Sequence, residues 1–134
     1  MATVEREKEF NASADAVWDI VGDFAAIQKW ASVDDVEISD GGKTRTINMG
    51  GSKITERLVD EGERTQTYAL DDGGALPVKG YRSTLTATDA GDGKCLVRWV
   101  GNFEPAEGTT EEMACQIIGM VYDGGLAGME KAVG

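Results

Sequence analysis

Apolar and polar residues alternate with a period of two over much of the chain. Stretches at 3–10, 33–39, 43–49, 53–60, 64–71, 79–88 and 94–104 show the alternation expected of strands with one buried face. The separators are short and rich in Gly and Asp: DGGK (40–43), GGS (50–52), DDGG (71–74) and DAGDGK (89–94). Such separators predict antiparallel hairpins. Two segments break the alternation. In residues 13–31, Val17, Trp18 and Val21 recur at helical spacing behind Ser13, a candidate N-cap, and Gly22 divides the segment into two short helices. Residues 109–133 predict a long C-terminal helix, with Met113, Ile117, Met120, Val121 and Met129 supplying apolar surface. Thr109 followed by Glu112 matches a capping box there.

This order predicts an α+β fold in one domain over 1–134. A seven-stranded antiparallel sheet curves around a long C-terminal helix, with two short helices after the first strand. A curved sheet and one helix leave volume between them, where a ligand cavity would lie. Gly119, Gly124, Gly125 and Gly128 each weaken the long helix by about 1 kcal/mol relative to Ala. They have two readings, close packing against the sheet or open space beside the helix.

Side-chain direction gives the candidate site. In strand 43–49, Arg45, Ile47 and Met49 share a face. A two-residue hairpin at Gly50–Gly51 sets Met49 opposite Ser52, Ile47 opposite Ile54 and Arg45 opposite Glu56. Glu56 then sits between Ile54 and Leu58 on the inward face. A three-residue loop at Glu61–Glu63 would set Tyr68 opposite Glu56. Tyr81, Ser83, Leu85 and Ala87 point inward, as do Val97, Trp99 and Phe103, and Gly101 would open room among them.

The inner wall is then apolar with one polar cluster: Arg45, Glu56, Tyr68, Tyr81 and Ser83. The cluster is either a structural ion pair supported by Tyr hydroxyls, or the polar end of a pocket that orients a ligand or moves a proton. The candidate catalytic residues are Glu56, Arg45 and Tyr81. The candidate ligand contacts are Tyr68, Ser83, Trp99, Phe103, Trp30 and Tyr122, although core packing is the simpler account of Trp30 and Tyr122.

Composition narrows the chemistry. Histidine is absent, which removes most zinc sites, Ser–His and Cys–His nucleophiles and the usual general base. Proton transfer would fall to carboxylates, Tyr, Lys or Cys, with no cofactor or metal expected. The acidic pairs, such as Asp71–Asp72, read as solvated turns and fit no calcium loop. Lys and Arg number 13 against 24 Asp and Glu, a net charge of −11, which argues against nucleic acid and anionic membranes as partners. Cys95 and Cys115 form no disulfide framework and read as small hydrophobes. No apolar run is long enough to span a membrane, and MATVEREKEF lacks a signal-peptide core. We expect a cytoplasmic protein, monomeric or weakly dimeric.

The succession VWDIVGDFAAIQKW (17–30), TRTINM (44–49), TERLVDEGERTQTYAL (55–70), LPVKGYRSTLTAT (76–88) and VRWVGNF (97–103), closed by a long helix, resembles the START/Bet v 1-like superfamily. Within it the chain is most similar to the polyketide cyclase/dehydrase-type proteins. The resemblance covers nearly the whole chain. It implies a helix-grip fold with a hydrophobic cavity. TRTINM, ERLVD, TQTYAL, GYRSTLTAT and VRW also resemble the lachrymatory factor synthases. That likeness implies substrate handling and proton shuttling by Arg45, Glu56 and Tyr81, with Tyr68 and Trp99 as pocket walls. ERLVD and GYRSTLT are similar to the abscisic acid receptors as well, which implies a polar ligand network at Glu56, Tyr81 and Ser83. The receptors' gate loop is replaced here by MGGSK (49–53), so a hormone-receptor role is not supported.

Three functions remain open: cofactor-free acid/base catalysis on a small apolar molecule, a carrier or sensor of such a molecule, and an interaction module with a collapsed cavity.

Overall fold

The computed structural model describes residues 1–133, and for Met49 the backbone alone. The chain runs β1 (Ala2–Phe10), α1 (Ala14–Val21), a 3-10 segment (Phe24–Lys29), β2 (Asp35–Ser39), β3 (Thr44–Met49), β4 (Ser52–Gly62), β5 (Thr65–Asp72), β6 (Val78–Gly91), β7 (Lys94–Pro105) and α2 (Glu111–Val133). The strands form one seven-stranded antiparallel sheet in the order β1-β7-β6-β5-β4-β3-β2. Strands β2 to β7 follow one another through short turns, as their separators predict. The helical stretch between β1 and β2 carries the chain from one sheet edge to the other. This is the helix-grip fold.

Local chemistry explains the punctuation. The Ser13 hydroxyl accepts from the Ala16 N–H at 3.1 Å and starts α1. Gly22 caps its C-terminal end, donating its N–H to the Trp18 carbonyl at 2.8 Å, at a position where a Cβ would collide with the Trp18 indole. Gly50 and Gly51 adopt φ of 58° and 86°, the positive values that a tight hairpin turn requires. The β3–β4 register is the expected one, with Ile47 opposite Ile54 and Arg45 opposite Glu56. The side chain of Met49, expected on the inward face, lies outside the described residues.

Two expectations are corrected. The β4–β5 turn holds two residues, Glu63 and Arg64, and register shifts follow at Leu58/Asp60 and Thr55/Glu56. These place Leu58, not Glu56, opposite Tyr68, and Leu70 opposite Glu56. The long helix is capped by Thr110, not Thr109: the Met113 N–H donates to Thr110 Oγ1 at 3.1 Å.

Helix α2 lies over β1 and β7 and against α1. Its buried stripe is Ala114, Ile118, Tyr122, Leu126 and Met129, spaced three or four residues apart. Of the apolar residues expected on this helix, Met113, Met120 and Val121 are exposed. No helix among the described residues is long and apolar enough to cross a membrane. Cys95 is buried and Cys115 half-buried, both as free thiols.

Candidate functional site

Because α2 covers the β1–β7 side of the sheet, the concave side formed by β3, β4 and β5 is left partly unfilled. A cavity of about 560 Å³ lies there. Its sheet wall carries Arg45, Ile47, Ile54, Glu56, Tyr68, Leu70, Tyr81 and Trp99. Helix α2 contributes Ile118, Met120, Val121, Gly124, Gly125 and Gly128. The Ile27–Val33 segment and the Ala75–Leu76 turn close it further. A shallower hollow of about 190 Å³ beside the exposed Arg6–Asp123 pair holds none of the candidate residues.

The polar end of the cavity is built from two clusters. In the first, Arg45 Nε donates to Glu56 Oε1 at 2.7 Å, and both side chains are buried. Arg45 Nη1 donates to the Phe24 carbonyl at 3.0 Å. The guanidinium carbon stands 3.9 Å from the Phe24 ring centroid and 5.1 Å from that of Tyr68. The arginine therefore holds the carboxylate and pins the 3-10 segment to the sheet.

The second cluster is a run of hydroxyls. Trp99 Nε1 can only donate, and it does so to Ser83 Oγ at 2.7 Å and to Tyr68 Oη at 3.2 Å. Ser83 Oγ lies 3.1 Å from the Tyr122 hydroxyl, which is hydrogen-bonded to that of Tyr81. Tyr122 stacks on Trp99 with ring centroids 4.2 Å apart. Burial raises the pKa of all three phenols: those of Tyr68 and Tyr81 go well above the ordinary range, and that of Tyr122 to about 12. At neutral pH they are uncharged hydroxyls, not bases.

Six of the nine residues singled out in the sequence line the cavity: Arg45, Glu56, Tyr68, Tyr81, Trp30 and Trp99. Ser83, Phe103 and Tyr122 are not among the lining residues. Ser83 and Tyr122 are enclosed by the hydroxyl run, and Phe103 stacks on the far side of Tyr81 with centroids 6.0 Å apart. Gly101 does not open room; the Tyr122 hydroxyl fills the place of its missing side chain.

The helix glycines divide between their two readings. A Cβ at Gly119 would meet Arg6, at Gly125 the Trp99 ring and at Gly128 the Trp30 carbonyl, whereas one at Gly124 would meet nothing within 4 Å. Wall residues Ile47, Ile54 and Leu70 were legible from alternation; Ala75 and Leu76 sit in a turn, where no periodicity marks them, and Val33, expected at the start of a strand, precedes β2. Among the described residues, no group of three or more Cys, Asp or Glu could hold a metal ion.

The family model for polyketide cyclase/dehydrase and lipid transport matches residues 1–134. In structure the chain is similar to XoxI from Bacillus cereus, at 29% identity and a TM-score of 0.92, covering 99% of this chain and 96% of that one. A START superfamily protein from Mycobacterium smegmatis matches at 16% identity and a TM-score of 0.82, covering 99% and 97%. Truncated norcoclaurine synthase from Thalictrum flavum matches at 20% identity and a TM-score of 0.70, covering 98% and 89%. These last two likenesses show the fold alone. No curated protein matches the chain in sequence.

Proposed function

The chain belongs to the polyketide cyclase/dehydrase and lipid transport family, and on that premise we propose that it binds a small, largely apolar molecule in the cavity beneath α2. The observation that carries this reading is the cavity itself. It is an apolar hollow of about 560 Å³ with one charged pair and two phenols in its wall. Ligand sites have this composition: mostly greasy lining for affinity, with a few polar groups that fix orientation. We read the protein as acting in the cytoplasm without a cofactor, as a monomer or weak homodimer.

Binding is tested by titrating the protein with N-phenyl-1-naphthylamine, an uncharged probe that fluoresces in apolar surroundings. Trp30 and Trp99 line the cavity, so their emission should be quenched as the probe signal rises. Saturation near one probe per chain is expected. A signal that never saturates would leave the hollow without a ligand role.

A second reading, proton transfer without a cofactor, is favoured by Glu56. Its carboxylate lines the cavity, and Arg45 holds one of its oxygens. Glu56 would take a proton from the bound molecule and return it at another atom, as in an isomerisation or cyclisation, while Tyr81 donates to a ligand oxygen. Glu56→Gln should then abolish turnover and leave the affinity for uncharged ligands largely unchanged. An undiminished rate would remove Glu56 from the mechanism and leave the carrier role.

A further inference from the structure

The charged side chains in the cavity wall are Arg45 and Glu56, among the described residues, and they are bonded to each other. Building on the ligand-binding reading, we propose that the cavity selects uncharged molecules bearing a hydroxyl, phenol or amide group and excludes carboxylates of the same size and shape.

The first support is that the positive charge is already neutralised. Arg45 gives its Nε to Glu56 and one Nη to the Phe24 carbonyl, and aromatic rings lie beside its guanidinium. It retains N–H groups that can donate to a ligand oxygen, but no net charge to hold an anion. A carboxylate entering the cavity would lose its hydration and meet Glu56 together with Arg45. No other cation stands in the described wall to repay that loss.

The second support is the donor capacity of the hydroxyl run. Trp99 donates to Ser83, so the Ser83 proton is free to go to Tyr122 and the Tyr122 proton to Tyr81. With the Tyr122 proton given to Tyr81, the Tyr81 proton is left to be donated into the cavity. Glu56 can accept there but cannot donate while ionised. An alcohol, phenol or primary amide satisfies both, accepting from Tyr81 and donating to Glu56. A carboxylate can only accept, so it offers Glu56 no proton and sets a second anionic group beside it. The net charge of −11 adds a long-range field that further disfavours anions.

The test uses bound N-phenyl-1-naphthylamine at pH 7.5, displaced by 2-naphthol, 2-naphthamide or 2-naphthoate. The last two differ mainly in charge. The naphthol and the amide should compete at concentrations at least tenfold lower than the naphthoate. A naphthoate that competes as well as the amide overturns the proposal and leaves the binding reading standing. If the probe itself does not bind saturably, both fall. Glu56→Gln leaves Arg45 without its counter-charge, and naphthoate should then gain at least tenfold relative to naphthamide. No gain in the folded variant also overturns the proposal. Should the variant fail to fold, the wild-type ranking decides it alone.

Discussion

Glu56 faces Arg45 across the β3–β4 hairpin with Oε1 2.7 Å from Nε, and both side chains are withdrawn from water. Such a pair is held by mutual need. Each charge has lost its hydration, and removing one partner strands the other. Arg45→Met alone, or Glu56→Gln alone, should cost about 3–5 kcal/mol in urea unfolding. Replacing both, as Arg45→Met with Glu56→Leu, should recover most of that loss. A double variant as unstable as either single one would show that the pair contributes more than charge balance.

The three tyrosines of the chain, Tyr68, Tyr81 and Tyr122, all belong to the hydroxyl run or to the cavity wall. Their pKa values are raised chiefly by burial. A phenol in the unfolded chain ionises near pH 10, so above that pH the unfolded state releases protons that the folded state retains. Stability is therefore intact below about pH 10 and falls as pH rises towards 12 and beyond. Absorbance at 295 nm should stay flat through pH 10 and then rise in one step together with loss of circular dichroism. Phenolate appearing near pH 10 in folded protein would contradict this burial.

The hairpins show how much was legible. Gly50–Gly51 fixes both turn and register, so the Arg45–Glu56 pairing could be read from residue spacing once the turn was recognised. The β4–β5 turn carries no such signature. Arg64 takes a positive φ of 57° there, which its side chain does not advertise, and a shift in register moves Tyr68 from Glu56 to Leu58. Inward direction along β6 and β7 followed from alternation alone. What alternation cannot give is depth. Ser83, Phe103 and Tyr122 face inward, yet other side chains stand between them and the cavity. That distinction depends on Tyr122 packing against Trp99 and Ser83 and on Tyr81 packing against Phe103, contacts between elements distant in sequence, which no local pattern records.

Gly101 is one such contact. A Cβ there would meet the Tyr122 hydroxyl, and Tyr122 cannot swing aside because it stacks on Trp99 at 4.2 Å. Gly101→Ala should destabilise by about 1–3 kcal/mol, the usual cost of overpacking. Tyr122→Phe removes the obstructing oxygen. The double variant should then be more stable than the sum of the single losses by about 1 kcal/mol. Strict additivity would place the clash elsewhere.

The helix glycines permit a sharper contrast, because neighbouring positions in α2 should respond with opposite sign. Gly124 and Gly128 both sit inside the helix and both line the cavity. An Ala methyl at Gly128 meets the backbone carbonyl of Trp30, which cannot yield without moving the segment before β2. At Gly124 it meets open space, so only the helix gain of Ala over Gly remains, about 1 kcal/mol. Gly124→Ala should therefore raise the melting temperature and Gly128→Ala lower it. Gly124→Phe carries the argument to function. A ring at this exposed position, which also lines the cavity, costs the fold little but takes up space that a ligand would use. Probe affinity should fall at least tenfold, with urea unfolding unchanged to within about 1 kcal/mol. Undiminished binding in Gly124→Phe would mean that ligands do not use this space.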